Sequence, residues 1–111
     1  MKRSPVRRRR PGAPRRGPSD VAANEFRNPQ YLKWLREECT CHVCHDVECD
    51  PAHGPVNGTS SKGPDAGAIP LCRYHHREQH KIRWPEFEKR YQFSREREAA
   101  VYWTAYRIVA A

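Results

Sequence analysis

The sequence predicts a small α+β domain that an apolar core alone does not hold together. Three observations carry this. First, 111 residues with 37% hydrophobic side chains and a mean hydropathy of −1.03 leave little surface to bury, and domains of this size often add cross-links. Second, the run Ile69-Pro70-Leu71 leads directly into Cys72-Arg73-Tyr74-His75-His76-Arg77-Glu78-Gln79-His80-Lys81, which reads as the end of a strand entering a helix. Third, five Cys and six His are available as cross-linking groups, and an odd number of Cys does not suit a closed set of disulfides. No apolar h-region follows the basic N-terminus, and no apolar run approaches the roughly 18 residues of a membrane span. In a chain that reads as cytosolic, tight Cys-x-x-Cys and Cys-x-x-His spacings indicate metal ligands rather than disulfides.

Residues 1–23 are rich in Arg, Pro and Gly and read as a disordered basic arm, with the folded domain over 24–111. Residues 1–20 hold eight of the 21 basic side chains and one of the 13 acidic ones, so most of the net charge of +8 lies there. Arg7, Arg8, Arg9, Arg10, Arg15 and Arg16 suit phosphate contacts, which points to nucleic acid as the partner.

Within the domain, Asn28 can cap a helix that Pro29 starts, with Tyr31, Leu32 and Leu35 on one face and Trp34 at its edge. These aromatics read as core rather than as a base-stacking platform. Residues 51–68 are crowded with Pro and Gly and read as a loop. A helix is expected from about Arg73 to Lys81. Pro85 can start another that carries Phe87 and Tyr91 on one face. Ser94 can cap a last one, with Ala99, Tyr102, Tyr106 and Val109 in one stripe and Trp103 beside it. That stripe is expected to pack on the domain rather than to form a dimer interface.

A closed zinc site needs four N or S ligands, often as two short loops. Cys41 and Cys44 form one such knuckle and Cys72 with His75 the other, giving a Cys3His set; Cys39 and Cys49 are close rivals for a place in it. With His75 used, His53, His76 and His80 remain. His76 and His80 are four apart and share a helix face. A neutral imidazole near a bound divalent ion is a suitable base for activating water. His42 and His45, flanking the first knuckle, are left to supporting or surface roles.

The combined pattern Cys41-x-x-Cys44, Asp50-Pro51-Ala52-His53, Lys62-Gly63-Pro64-Asp65 and Ile69-Pro70-Leu71-Cys72-x-x-His75-His76-x-x-x-His80 resembles the HNH (ββα-metal) endonucleases. The likeness is strongest to the small phage and prophage branch that includes the recombination-enhancement nucleases, and it spans roughly residues 28–95. It implies a zinc-stapled core in which a two-stranded hairpin and a helix grip one divalent metal, with flanking helices. By this resemblance His53 is the general base and His76 the helix residue that binds catalytic Mg²⁺ or Mn²⁺. His80 is a further ligand or phosphate contact, and Lys62 a nucleic-acid contact. Two departures stand out. The central Asn of the family has no match, since Gly67 stands five before Cys72, and Asp65 is the nearest polar candidate for the catalytic set. Ala52 precedes His53 where many relatives carry a metal ligand, so His53 is also a candidate for that role, with Asp50 assisting.

The resulting expectation is a metal-dependent hydrolase that cleaves or nicks DNA in the cytoplasm of a bacterial host. It would act as a monomer or homodimer, with a recombinase or other recombination protein as a second partner. The alternatives from other classes are a non-catalytic zinc-stapled nucleic-acid-binding module and a recombination adaptor.

Overall fold

The computed structural model describes residues 23–55 and 62–110. The expected basic arm, including Arg7 to Arg16, thus lies outside the described residues apart from its last position. The elements run α1 (Pro29–Glu38), β1 (Cys49–Ala52), a 3₁₀ turn (Asp65–Gly67), β2 (Ile69–Cys72), α2 (Arg73–Tyr91) and α3 (Arg95–Ala110). Among the described residues three helices surround one two-stranded antiparallel sheet, so the fold is a small α+β one. No helix among the described residues is long and apolar enough to cross a membrane.

The helix ends follow from local chemistry. The Asn28 side chain accepts a hydrogen bond from the Tyr31 N–H at 3.0 Å, and Pro29 fills the first turn of α1, where its missing N–H costs nothing. Ser94 Oγ accepts from the Arg97 N–H at 3.2 Å and starts α3. Gln92 closes α2 in the left-handed region (φ 55°), and its N–H returns to the Glu88 carbonyl. α2 is broken internally at Arg83, where φ is 72° and ψ 164°. Pro85 follows two residues later. The two helices expected over 73–81 and from Pro85 onward are thus both present, as the two halves of α2 on either side of a kink at Arg83.

The strands pair Cys49 with Cys72, Asp50 with Leu71, Pro51 with Pro70 and Ala52 with Ile69. Pro51 and Ala52 had been expected in a loop; here they are strand. The reason is that both strands are edges of a two-stranded sheet, where proline is tolerated at positions whose N–H would face away from the partner strand. The Pro70 carbonyl instead accepts from the His42 N–H at 2.9 Å, which docks the segment after α1 onto β2.

Two apolar clusters share this sheet. Cys41, Cys49, Ala52, Ile69, Leu71, Cys72, Trp84, Phe87 and Ala99 form the first. Tyr31, Leu35, Ala68, Trp103 and Tyr106 form the second, with Trp34 packed against it. The α1 aromatics are thus core, as expected. On α3 the buried stripe is Ala99, Trp103 and Tyr106. Tyr102 is only half-buried, and Val109 is 65% exposed and not part of the stripe. Ala99 and Tyr106 are buried as expected, and Trp103 replaces Tyr102 because it reaches Tyr31, as Tyr106 does, at ring-centroid distances of 5.1 and 5.2 Å.

Candidate metal centre and cleft

Cys41, Cys44, Cys72 and His75 come together with their ligand atoms all within 4.8 Å of one another. Cys41 and Cys44 lie in the turn after α1. Cys72 ends β2 and caps α2, and His75 lies in the first turn of that helix. The Cys44 and Cys72 sulfurs are 3.7 Å apart, and His75 Nδ1 lies 3.2 Å from Cys72 Sγ and 3.7 Å from Cys41 Sγ. A tetrahedral zinc with Zn–S near 2.3 Å requires S···S edges of about 3.8 Å and S···N edges of about 3.5 Å. The donor set and its spacing therefore fit zinc. Backbone N–H groups of Val43 and His75 point at Cys41 Sγ (3.4 Å) and Cys72 Sγ (3.5 Å), an arrangement that supports thiolate charge. The turn depends on His45 at φ 66°, whose N–H donates to the Cys41 carbonyl at 2.9 Å.

The rivals fall away on geometry. Cys49 is buried in the core, its thiol donates to the Asp46 carbonyl at 3.2 Å, and burial with the neighbouring thiols pushes its pKa up to about 12. Burial pushes the Cys39 thiol up to about 11. Neither belongs to the four-atom cluster. His42 turns away from the knuckle to Tyr102, its Nδ1 2.9 Å from the hydroxyl, and packs against the Phe93 ring.

On the other side of the hairpin, His53, Lys62, His76 and His80 line one cleft of about 650 Å³, together with Arg36, Arg83 and Trp84. His53 follows β1, and its Nε2 lies 2.8 Å from Asp65 Oδ1. A carboxylate can only accept, so Nε2 carries the proton and Nδ1 keeps its lone pair. The other Asp65 oxygen accepts from the Asn28 N–H at 2.7 Å, which ties the start of α1 to the 3₁₀ turn. The Trp84 indole N–H donates to the His53 carbonyl at 3.0 Å. His53 is thus held through both ring and backbone. Burial holds its pKa below the usual histidine value, outweighing the hydrogen bond and charge of Asp65, which act the other way.

His76 and His80 face each other on α2 with their Nε2 atoms 3.2 Å apart. Cis ligands around a divalent ion at about 2.1 Å are separated by about 3 Å, so this pair can chelate. Asp50 lies 3.7 Å from the opposite nitrogen of His76, Nδ1, where it can orient the ring. Among the described residues no third His, Cys, Asp or Glu atom converges on the two imidazoles. Burial, and then the charge of His80, hold the His76 pKa low, with Asp50 opposing.

Three cleft residues were not singled out from sequence. Arg36, Arg83 and Trp84 come from the end of α1 and the break of α2, and no local motif marks them. Asn28 was read as a cap and is one, but its tie to Asp65 spans 37 positions.

The fold and site define a class of small α+β protein with a Cys3His cluster that could hold a metal on one side of a hairpin and a histidine-lined cleft on the other. A family model, DUF968, described as a protein of unknown function, matches residues 21–103, a span that contains both sites. The chain belongs to this DUF968 family. No curated protein and no solved structure matches it.

Proposed function

We propose that the chain is a metal-dependent endonuclease of the HNH (ββα-metal) type that hydrolyses DNA phosphodiester bonds. The observation that carries the reading is the cleft itself. A tautomer-fixed, uncharged His53 shares one wall-to-wall space with a paired His76 and His80 and with the cations Arg36, Lys62 and Arg83. Water activation, metal binding and phosphate binding need these three kinds of group within reach of one reacting centre.

In this reading His53 Nδ1 takes the proton of the attacking water as its oxygen bonds to phosphorus and the P–O ester bond opens. Asp65 is a positioning residue: it fixes the donor on Nε2 and stabilises the imidazolium that forms. His76 and His80 would hold the divalent ion, with Asp50 orienting His76. Such an ion, when bound, would supply positive charge to stabilise the phosphate in the transition state. Arg36 and Lys62 neutralise phosphate without reading sequence. The Cys3His centre has a structural task, pinning the start of α2 against the segment after α1.

Two imidazoles suit a first-row transition ion better than oxygen-loving Mg²⁺. Zinc-loaded protein is therefore expected to nick supercoiled plasmid faster with Mn²⁺ than with Mg²⁺. Unbroken plasmid in both, with DNA still bound, would instead favour a non-catalytic binding module.

A further inference from the structure

Arg83 stands at the break in α2 with φ 72° and ψ 164°. That backbone region is adopted almost only by glycine, because the Cβ of any other residue crowds the chain. A glycine would serve the break as well, so the fold does not require a side chain here. Nor does an internal partner offset the strain. Arg83 is exposed and makes no hydrogen bond or ion pair within the described residues. What the side chain does have is a place in the wall of the cleft, beside His53, His76 and His80. Its neighbour Trp84 is buried and donates to the His53 carbonyl, so the break is fixed relative to His53. A rigid tether and an unpaired guanidinium are what binding a substrate anion requires.

We propose that the α2 break holds Arg83 in a strained conformation so that its guanidinium binds a phosphate of the nucleic-acid strand lying in the cleft. The assignment rests on the nuclease reading for the identity of that strand. Arginine suits the task because its planar fork can donate two parallel hydrogen bonds to one phosphate, which an ammonium cannot. Arg36 and Lys62 then contact the same strand as further charges.

The test uses the full chain, zinc-loaded, as wild type, Arg83→Gly and Arg83→Lys. A fluorescein-labelled DNA duplex is titrated without Mg²⁺ or Mn²⁺, and thermal unfolding is recorded in the same buffer. Glycine relieves the strain while removing the ligand. Arg83→Gly is therefore expected to melt at a higher temperature than wild type, yet bind DNA about tenfold more weakly and with a salt slope lower by about one. Arg83→Lys is expected to keep the salt slope and lose part of the affinity. Wild-type affinity in Arg83→Gly overturns the proposal, as does a lower melting temperature accompanying weaker binding, or wild type that fails to bind DNA. Cleavage separates the two claims. A wild type that cleaves nothing while Arg83→Gly binds less tightly leaves the phosphate contact standing and removes the nuclease. A wild type that cleaves, with Arg83→Gly equal to it in binding and kcat/KM, does the reverse.

Discussion

At the scale of single residues, His53 is defined by what holds it. Asp65 accepts the hydrogen bond from its Nε2–H, the Trp84 indole N–H donates to its carbonyl, and Asp65 in turn accepts from the Asn28 N–H. Asp65 is only 4% exposed, so its loss leaves a buried donor without a partner. Asp65→Ala is expected to lower stability by about 1–3 kcal/mol, measured by urea unfolding, and to slow cleavage through misorientation of His53. The histidine also sets a pH dependence. Burial lowers its folded pKa, while Asp65 raises it and Lys62 and Arg27 lower it further. Above the unfolded value near 6.5 the ring is neutral in both states, and its full contribution to stability is present. As pH falls through the folded value, the unfolded chain has already bound the proton and that contribution is lost. Wild type should therefore lose stability faster than His53→Gln between pH 7 and 5; parallel loss would show that His53 is not the titrating group. His53 was legible from its place after Asp50-Pro51-Ala52, and Asp65 as the nearest polar group in its loop. Trp84 and Asn28 were not legible as its supports, because those contacts join residues 31 and 37 positions apart.

At the scale of elements, the knuckles and helix starts were legible because their chemistry is local. Asn28, Pro85 and Ser94 mark ends through their own side chains, and the two short Cys and His spacings bring four ligands into one cluster. β1 was legible only through the resemblance, which implied a hairpin; residue by residue, Pro51 signals a loop until Pro70 is found opposite it. The α3 stripe was legible at Ala99 and Tyr106 but not at Trp103, which Tyr31, distant in sequence, draws inward in place of Tyr102. Spacing favoured Cys41, Cys44 and Cys72 among the five cysteines, and the convergence of their sulfurs with His75 leaves Cys39 and Cys49 outside the cluster. Mass spectrometry is expected to find zinc retained in Cys39→Ser and Cys49→Ser and lost in Cys44→Ser. Structural zinc contributes about 10–16 kcal/mol in small domains, against total stabilities of about 5–15 kcal/mol, so Cys44→Ser should also lose its folded circular dichroism. Zinc retained in Cys44→Ser would remove this cysteine from the centre.

At the scale of the whole molecule, the hairpin separates two chemistries: a Cys3His cluster that could hold a metal, and a cleft that gathers histidines and cations. α3 closes the arrangement from outside the motif region. Ala99 enters the first cluster, Trp103 and Tyr106 the second, and the Arg95 guanidinium donates to the Gly67 carbonyl at 2.8 Å beside the turn that carries Asp65. A Cβ at Gly54, next to His53, would lie 2.4 Å from that guanidinium, so a side chain there would displace the end of Arg95. Truncation before Ser94 is therefore expected to abolish cooperative unfolding; a truncated chain that folds but loses a protein partner would favour the adaptor reading. The central claim is cleavage through His53, and a plasmid-nicking time course tests it most directly. Wild type and His53→Ala, matched for zinc content and circular dichroism, are incubated with supercoiled DNA and Mn²⁺. The account predicts open-circular product from wild type and a rate at least about 100-fold lower from His53→Ala. No product from wild type, or equal rates from the two proteins, would contradict it.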